Sequence, residues 1–449
     1  MTRAAFERQF NSRTMAYHPE YRSDDRPVLV IFGGAADSPT GHLLTVALVN
    51  QLARAHRRIA VIGDLDRPLR CADHFGFGTL EAATIGLARA INPFIDATTS
   101  RRGPDGEPLL TIGVAADADI RLGCNGWRAF IGDGVNVDPR PTSGLGAALA
   151  SCLGAAAAFH RLIGRDEMPT GSFSLWEHGR PSTADGPELL GPVNVGRVLQ
   201  VGVGAVGCAL DYWLGFFSFI GKWVIVDGDF IEVSNLNRQL LFLASDAGFP
   251  DCRRANKVET AVRRLDGCAS ASPRWYGDDE TVVGATYDLV LPLANERGVR
   301  PALQSRAQTI LLHATTTPNW KAIAHRHVAG HDDCIVCRLP EEEAAVFTCS
   351  TAPVGIERPM DASLPFLSAI AGLLLLGDLV RLQHGRLLER ASNFSSVDLS
   401  TPVPFVRELT WTCRDACRVR MPAAARIRRT AGTRFAQLDG DAMVSRETD

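Results

Sequence analysis

One order of elements occurs twice in this chain, and it constrains the fold more than any other feature. Residues 28–32 form a short apolar run, expected as a buried parallel strand, and Gly33 and Gly34 follow. Helical periodicity covers 41–55, with Leu43, Leu44, Ala47, Leu48 and Leu52 on one side. A second apolar run, 58–62, ends at Gly63 and Asp64. The same order returns as a strand at 198–201, a glycine turn at 202–207, a helix at 208–219 and a strand at 223–226 that ends at Asp227. Each half closes with an apolar helix near a proline, 144–164 and 364–384. A repeated unit of this size predicts an α/β fold of two Rossmann-like doubly wound domains in tandem, and not a short solenoid repeat.

The expected organisation is an N-terminal arm (1–25), a first domain (26–165), a linker rich in Pro, Gly, Ser and Thr (166–196), a second domain (197–420) and a basic tail (421–449). A short strand is expected near 404–412. A chain of 449 residues accommodates two large domains. Its net charge of −3 gives no general attraction to nucleic acid or an anionic membrane. The longest uncharged run, 141–159, is mostly Ala and Gly and reads as a buried helix instead of a membrane span. The first eight residues hold no apolar signal core, so the expected location is the cytoplasm. In that compartment the eleven cysteines are expected as metal ligands and reactive thiols, not as a disulfide framework.

Gly202, Gly204 and Gly207 lie between a predicted strand and a predicted helix. Glycines there let backbone approach a phosphate, and the helix N-terminus favours the anion. This pattern alone serves a dinucleotide and ATP equally, and Asp227 suits ribose hydroxyls in both cases. The next residues separate the two. Asp229 follows Asp227, then Ser234-Asn235-Leu236-Asn237-Arg238-Gln239, and Lys257 ends a run with Arg253 and Arg254. Arg and Lys converging beside a glycine loop suit a triphosphate, because charge develops on pyrophosphate as it leaves. Only Lys222, Lys257 and Lys321 among 47 basic residues are lysine. A compact ammonium at 257 therefore points to a specific phosphate contact; a solvated helix face is the bland alternative.

These residues resemble the ThiF/MoeB and ubiquitin-activating enzyme superfamily over roughly 197–417. The resemblance implies ATP- and Mg2+-dependent adenylation of the C-terminal glycine of a ubiquitin-fold protein. It implies ribose contact by Asp227, a phosphate path lined by Asn235, Arg238 and Gln239, and Lys257 on the phosphates. One departure stands out. The family carries an aspartate after the fourth strand that helps hold Mg2+, and here Asn295 occupies that position, followed by Glu296. An Asn carbonyl still serves a hard cation, without charge, and Glu296 is the substitute candidate.

Cys334 and Cys337 are spaced by two residues, and Cys413 and Cys417 by three. Together they predict a closed four-thiolate Zn2+ site, which the family resemblance supports. His325, His327 and His331 precede the first pair and are read as surface residues more readily than as ligands. Cys349 stands apart, between Thr348 and Ser350. It is similar in position to the thioester-forming cysteine of the enzyme activating the ubiquitin-fold modifier, which makes it the expected nucleophile. Cys252, beside two arginines, is the rival. Cys71, Cys124, Cys152, Cys208 and Cys268 are expected to pack. The first half keeps the fold signals but lacks the spaced glycines, the Ser-Asn-Leu-x-Arg-Gln segment and any lysine. It resembles the inactive adenylation half of eukaryotic ubiquitin-activating enzymes.

The implied partners are a ubiquitin-like protein and a conjugating-enzyme-like protein, with no nucleic acid and no membrane, and a homodimer left open. A bacterial antiphage conjugation operon is the implied setting. A sulfur-carrier adenylyltransferase, a docking pseudoenzyme and, last, a nicotinamide-dependent dehydrogenase are the competing readings.

Overall fold

The computed structural model describes residues 1–19, 21, 28–32, 36–99, 110–115, 117–132, 136–165, 170–178, 186–189, 191–265, 269–295, 298–305, 310–329, 331–338, 363–401, 404–415 and 417. These residues form two sheets. The first contains β1 (Val28–Ile31), β2 (Arg58–Ile62), β3 (Asp96–Thr98), β4 (Leu110–Gly113), β5 (Ile120–Asn125), β6 (Arg128–Ile131) and β7 (Gly171–Ser174). Its order is β3-β2-β1-β4-β5-β6-β7, parallel through β5 and antiparallel beyond.

The second sheet contains β8 (Val193–Val201), β9 (Phe219–Val226), β10 (Ala269–Ser272), β11 (Leu289–Pro292), β12 (Ile310–Thr317), β13 (Lys321–Val328), β14 (Phe394–Asp398) and β15 (Phe405–Leu409). Its order, β10-β9-β8-β11-β12-β13-β14-β15, repeats the first and adds one antiparallel strand. Central strands such as β1 and β11 are buried throughout, which is why they read as unbroken apolar runs.

Helices α1 (Arg3–Tyr17), α2 (Pro39–Leu52), α3 (Leu87–Ile91), α4 (Gly144–Leu162), α5 (Ala205–Leu214), α6 (Lys257–Arg264), α7 (Glu280–Gly284), α8 (Val299–Ser305) and α9 (Pro365–Gln383) complete the architecture. α4 lies on β5 and β6, α9 lies on β12 and β13, and α4 and α9 pack on each other. α2 joins α4, and α5 joins α9, so one apolar core runs through both halves. Both α4 and α9 are long and apolar enough to cross a membrane, and both are buried inside the protein. Leu373, Leu374, Leu375 and Leu376 of α9 are almost wholly buried. Each contributes about 1.5–3 kcal/mol by leaving water.

Three local readings change. The N-terminal arm carries α1, whose Phe6, Phe10 and Thr14 form a one-residue-per-turn buried stripe, too narrow to stand out in a polar segment. Phe6 sits 5.4 Å from Phe94 and 4.9 Å from Phe249, ring to ring, and so meets both halves. The stretch read as a linker holds the edge strand β7 and the first residues of β8; small alternating residues suffice for an edge. α5 begins at Ala205 and ends at Leu214, so Gly207 lies inside its first turn and β9 begins earlier than expected.

Candidate functional site

β8 connects through α5 to β9 on one side and pairs with β11 on the other. This reversal of strand order opens a crevice beyond the strand carboxyl ends. The glycine loop lies there. Gly202 has φ +106°, and a Cβ on it would stand 2.6 Å from the Ala294 nitrogen at the end of β11. A Cβ on Gly207 would meet the Gly202 carbonyl at 2.2 Å. Gly204, the N-cap of α5, faces open space instead. The loop is therefore tight on its protein side and open at the helix N-terminus, where an anion is favoured.

Two of the expected ligand contacts also fasten this loop. Asp227 Oδ2 accepts the Val203 N–H at 2.7 Å, and Oδ1 accepts the Asp229 N–H at 2.9 Å. Gln239 Nε2 donates to the Val203 carbonyl at 3.3 Å. Gln239 Oε1 is buried with no hydrogen-bond partner, an acceptor poised beside the loop. Burial pushes the Asp227 carboxyl up, opposed by Lys257 and the two N–H groups.

Lys257 opens α6 and is buried. Its Nζ donates to Asp229 Oδ2 at 2.7 Å. Burial alone would favour loss of its proton; the Asp227 and Asp229 carboxylates outweigh that and hold the ammonium above the ordinary lysine value. Arg238 donates from Nη1 to the Ser234 carbonyl and to Asn237 Oδ1. Asn235 Oδ1 accepts the Glu232 N–H at 2.9 Å, closing a capping box on the short 3-10 turn. Asn295 is exposed immediately after Ala294, whose N–H reaches the Val201 carbonyl at 2.7 Å. Thus Gly202, Gly204, Gly207, Asp227, Asp229, Gln239 and Lys257 converge on one crevice, with Asn295 on its β11 side. Cys349 and Glu296 lie outside the described residues. Cys252 is exposed, its Sγ near the Ser245 and Phe249 carbonyls.

Sequence reasoning missed the residues that hold this segment from behind. Arg54, fully buried at the end of α2, donates to the carbonyls of Leu236, Leu240 and Phe242 and to Asn50 Oδ1. Asn50 Nδ2 also reaches the Leu240 carbonyl at 3.1 Å. Asn237 Nδ2 reaches Thr14 Oγ1 of α1 at 3.1 Å. The first half and α1 thus clamp the chain on both sides of Arg238. The sole sequence signal was an arginine inside an apolar helix end.

The equivalent crevice of the first half differs. Asp64, at the end of β2, is exposed and paired with Arg67, which also pairs with Asp37. Gly33 and Gly34 lie outside the described residues.

Cys334, Cys337, Cys413 and Cys417 bring their sulfurs within 4.8 Å of one another, with Cys334 and Cys417 at 3.4 Å. Four thiolates around Zn2+ at about 2.3 Å would stand roughly 3.8 Å apart, so the donor set fits such an ion. Burial raises the Cys334 thiol and pushes Cys413 up to about 11, leaving protons that a metal must displace. The Trp411 carbonyl accepts the Asp333 N–H at 3.2 Å, and Arg338 stacks on Trp411, tying the second cysteine segment to the first. His325 and His327, read as surface residues, are buried on β13: Phe394 and Trp411 pack against the His325 ring, and the His327 ring stacks on His313.

Residues 186–404 match the ThiF family, and residues 28–172 match the BilD N-terminal domain. The first half of the chain thus matches a BilD N-terminal domain and the second half a ThiF family domain. An uncharacterized protein, y4jF, of Sinorhizobium fredii is 29% identical over 68% of this chain and 58% of its own length. The NEDD8-activating enzyme E1 catalytic subunit of Saccharomyces cerevisiae is 29% identical over 35% of this chain and 56% of its own. The chain thus spans little more than half the length of these two relatives. The sulfur carrier protein adenylyltransferase of Thermus thermophilus is 26% identical over 43% of this chain and 74% of its own. Among solved structures, E. coli MccB with ATP covers 68% of this chain and 98% of its own at 16% identity, with a TM-score of 0.40.

Proposed function

We propose that this protein is an ATP-dependent activating enzyme for a ubiquitin-like protein. The observation that carries the reading is the buried Lys257 ammonium beside Asp227 and Asp229, under a glycine loop open at the α5 N-terminus. ATP would lie over that loop, with its ribose toward Asp227 and its phosphates toward Lys257 and Arg238. Asp229, Asn295 and Glu296 are the oxygen donors available to Mg2+, which would supply charge neutralisation on the phosphates. The terminal carboxylate of the modifier attacks the α-phosphorus; the α–β phosphate bond breaks and pyrophosphate leaves. Lys257 and Arg238 stabilise the charge that develops on the departing group. The Cys349 thiolate then attacks the acyl carbon, AMP leaves, and the thioester passes to a conjugating-enzyme-like partner. Cys252 is the alternative acceptor.

In this reading the first half is an inactive scaffold, since it lacks the spaced glycines, the Ser-Asn-Leu-x-Arg-Gln segment and any lysine. A cytoplasmic bacterial conjugation system, serving antiphage defence, is the proposed setting. A second reading, activation of a sulfur carrier, is favoured by the likeness to the Thermus adenylyltransferase and needs no conjugating partner. The two separate on one experiment. Incubation with ATP and a glycine-ended ubiquitin-fold protein should give a reductant-sensitive enzyme adduct that transfers to a conjugating enzyme. An adenylate formed with no adduct supports sulfur-carrier activation.

A further inference from the structure

Beside the cysteine cluster, the described residues contain a second group of metal-binding side chains. His313 on β12 lies directly opposite His325 on β13, and His327 lies two residues along on the same face. All three are buried, and one ring nitrogen of each falls within 4.8 Å of the others.

The hydrogen bonds of these rings fix where their protons sit. His327 Nδ1 is 2.9 Å from the Asp333 carbonyl oxygen, which only accepts, so Nδ1 carries the hydrogen and Nε2 keeps its lone pair. His325 Nε2 is 3.0 Å from the Asp333 carboxylate, so its Nδ1 keeps the lone pair. One residue, Asp333, thus orients two imidazoles through its carbonyl and its carboxylate. Metal-ligating histidines are held in this way, with the outer nitrogen donating to a carbonyl or carboxylate. His313 Nδ1 stands 3.3 Å from His327 Nε2 and donates its hydrogen to that lone pair in the metal-free protein, so an ion held by both nitrogens requires the His313 hydrogen to sit on Nε2 instead. Two nitrogens bound tetrahedrally to one ion at about 2.0–2.1 Å would stand roughly 3.3 Å apart.

We propose that His313, His325 and His327 bind a divalent transition-metal ion, Zn2+ or a cation of similar preference, at a site separate from the four thiolates. Three imidazoles select such borderline ions over Mg2+ or Ca2+. They leave one tetrahedral position for water. Burial keeps the His313 and His325 rings neutral, the form that binds metal. Arg300 places a positive charge near His313 and works against the ion, which the Asp333 carboxylate behind the other two rings offsets.

The test uses the full-length protein, stripped of metal and titrated with Co2+. One equivalent should bring the near-ultraviolet thiolate-to-cobalt band. A second should add visible ligand-field bands with no further thiolate band. The double variant Cys413→Ser/Cys417→Ser should retain one equivalent, and X-ray absorption should show a nitrogen/oxygen shell near about 2.0–2.1 Å. His313→Gln should keep the thiolate band and bind the other equivalent at least about 100-fold more weakly, as expected when a ligand and not merely an outer contact is lost. If His313→Gln fails to fold, the wild-type stoichiometry and the nitrogen shell of the cysteine variant decide. No nitrogen-bound equivalent in either protein, or a second equivalent unchanged in His313→Gln, would overturn the site. The three rings would then be a hydrogen-bonded imidazole ladder.

Discussion

Lys257 Nζ lies 2.7 Å from Asp229 Oδ2, and the backbone N–H of Lys257 meets the Asp229 carbonyl at 3.0 Å. The N-terminus of α6 is thereby tied twice to the turn that follows β9. Asp229 thus fixes both the side chain and the backbone of Lys257.

Breaking that tie from either end should have different effects. Asp229→Ala leaves a buried ammonium facing Asp227 alone and should cost about 3 kcal/mol in urea unfolding. Lys257→Met takes the cation from the buried Asp227 carboxylate and leaves it beside Asp229, so it should cost at least as much stability while also losing nucleotide-dependent chemistry. A clearly smaller stability loss in Lys257→Met than in Asp229→Ala would contradict the role given to the pair.

Arg54 offers a test of the scaffold. Its removal strands the carbonyls of Leu236 and Phe242 in the core, each worth about 1–3 kcal/mol when buried unpaired, while the Leu240 carbonyl keeps Asn50 Nδ2. Arg54→Met should lower the thermal midpoint and weaken ATP binding, although Arg54 belongs to the other half. Thermal unfolding with and without ATP reads both effects.

Asp211 gives a pH signature. It is wholly buried in α5, accepting from Gln200 Nε2 at 3.1 Å, and burial pushes its carboxyl up to about 8. A folded value above the unfolded one means that its contribution is full below about pH 4 and is lost as pH rises toward 8. Asp211→Asn should therefore stabilise the protein at pH 7, by at most about 4 kcal/mol at roughly 1.4 kcal/mol per pH unit, and the gain should vanish near pH 4. Urea midpoints across that range would show it; a gain that grows toward low pH would reverse the sign.

Much of the fold was legible because its signals are local. The strands 28–32 and 58–62 and the two long apolar helices stand in the sequence as runs, and the structure places them within a residue or two. The glycine loop, Asp227 and Lys257 were legible because each carries its own chemistry at a motif spacing. The rest depends on contacts far apart in sequence. Arg54 makes sense only once the backbone of 236–242 lies against it. His325 looks solvent-facing until Phe394 and Trp411 cover it, and His327 until it stacks on His313. In α1, the stripe of Phe6, Phe10 and Thr14 shows its purpose only when Phe94 and Phe249 arrive from the two halves.

Zinc content tests the thiolate site. Protein from zinc-replete cells should hold one thiolate-bound equivalent, and Cys334→Ser or Cys413→Ser should lose it. Because metal binding is coupled to local folding, chelation should also speed proteolysis near β15 and Trp411. Metal-free wild type would remove the site.

The nucleophile is decided by variants. Cys349→Ala should still exchange pyrophosphate into ATP, since adenylation needs no thiol, but should lose the reductant-sensitive adduct. An adduct that survives there and disappears in Cys252→Ala assigns the role to Cys252. An adduct unchanged in both removes the transfer step.

The most direct measurement is exchange of labelled pyrophosphate into ATP, dependent on a glycine-ended ubiquitin-fold protein that binds the enzyme. The wild type should catalyse it, and Arg238→Ala and Lys257→Ala should each lose most of it, at a cost of about 3–4 kcal/mol in the transition state. Undiminished exchange in both variants, or none in the wild type with a bound substrate, would contradict the assignment of this crevice to adenylation.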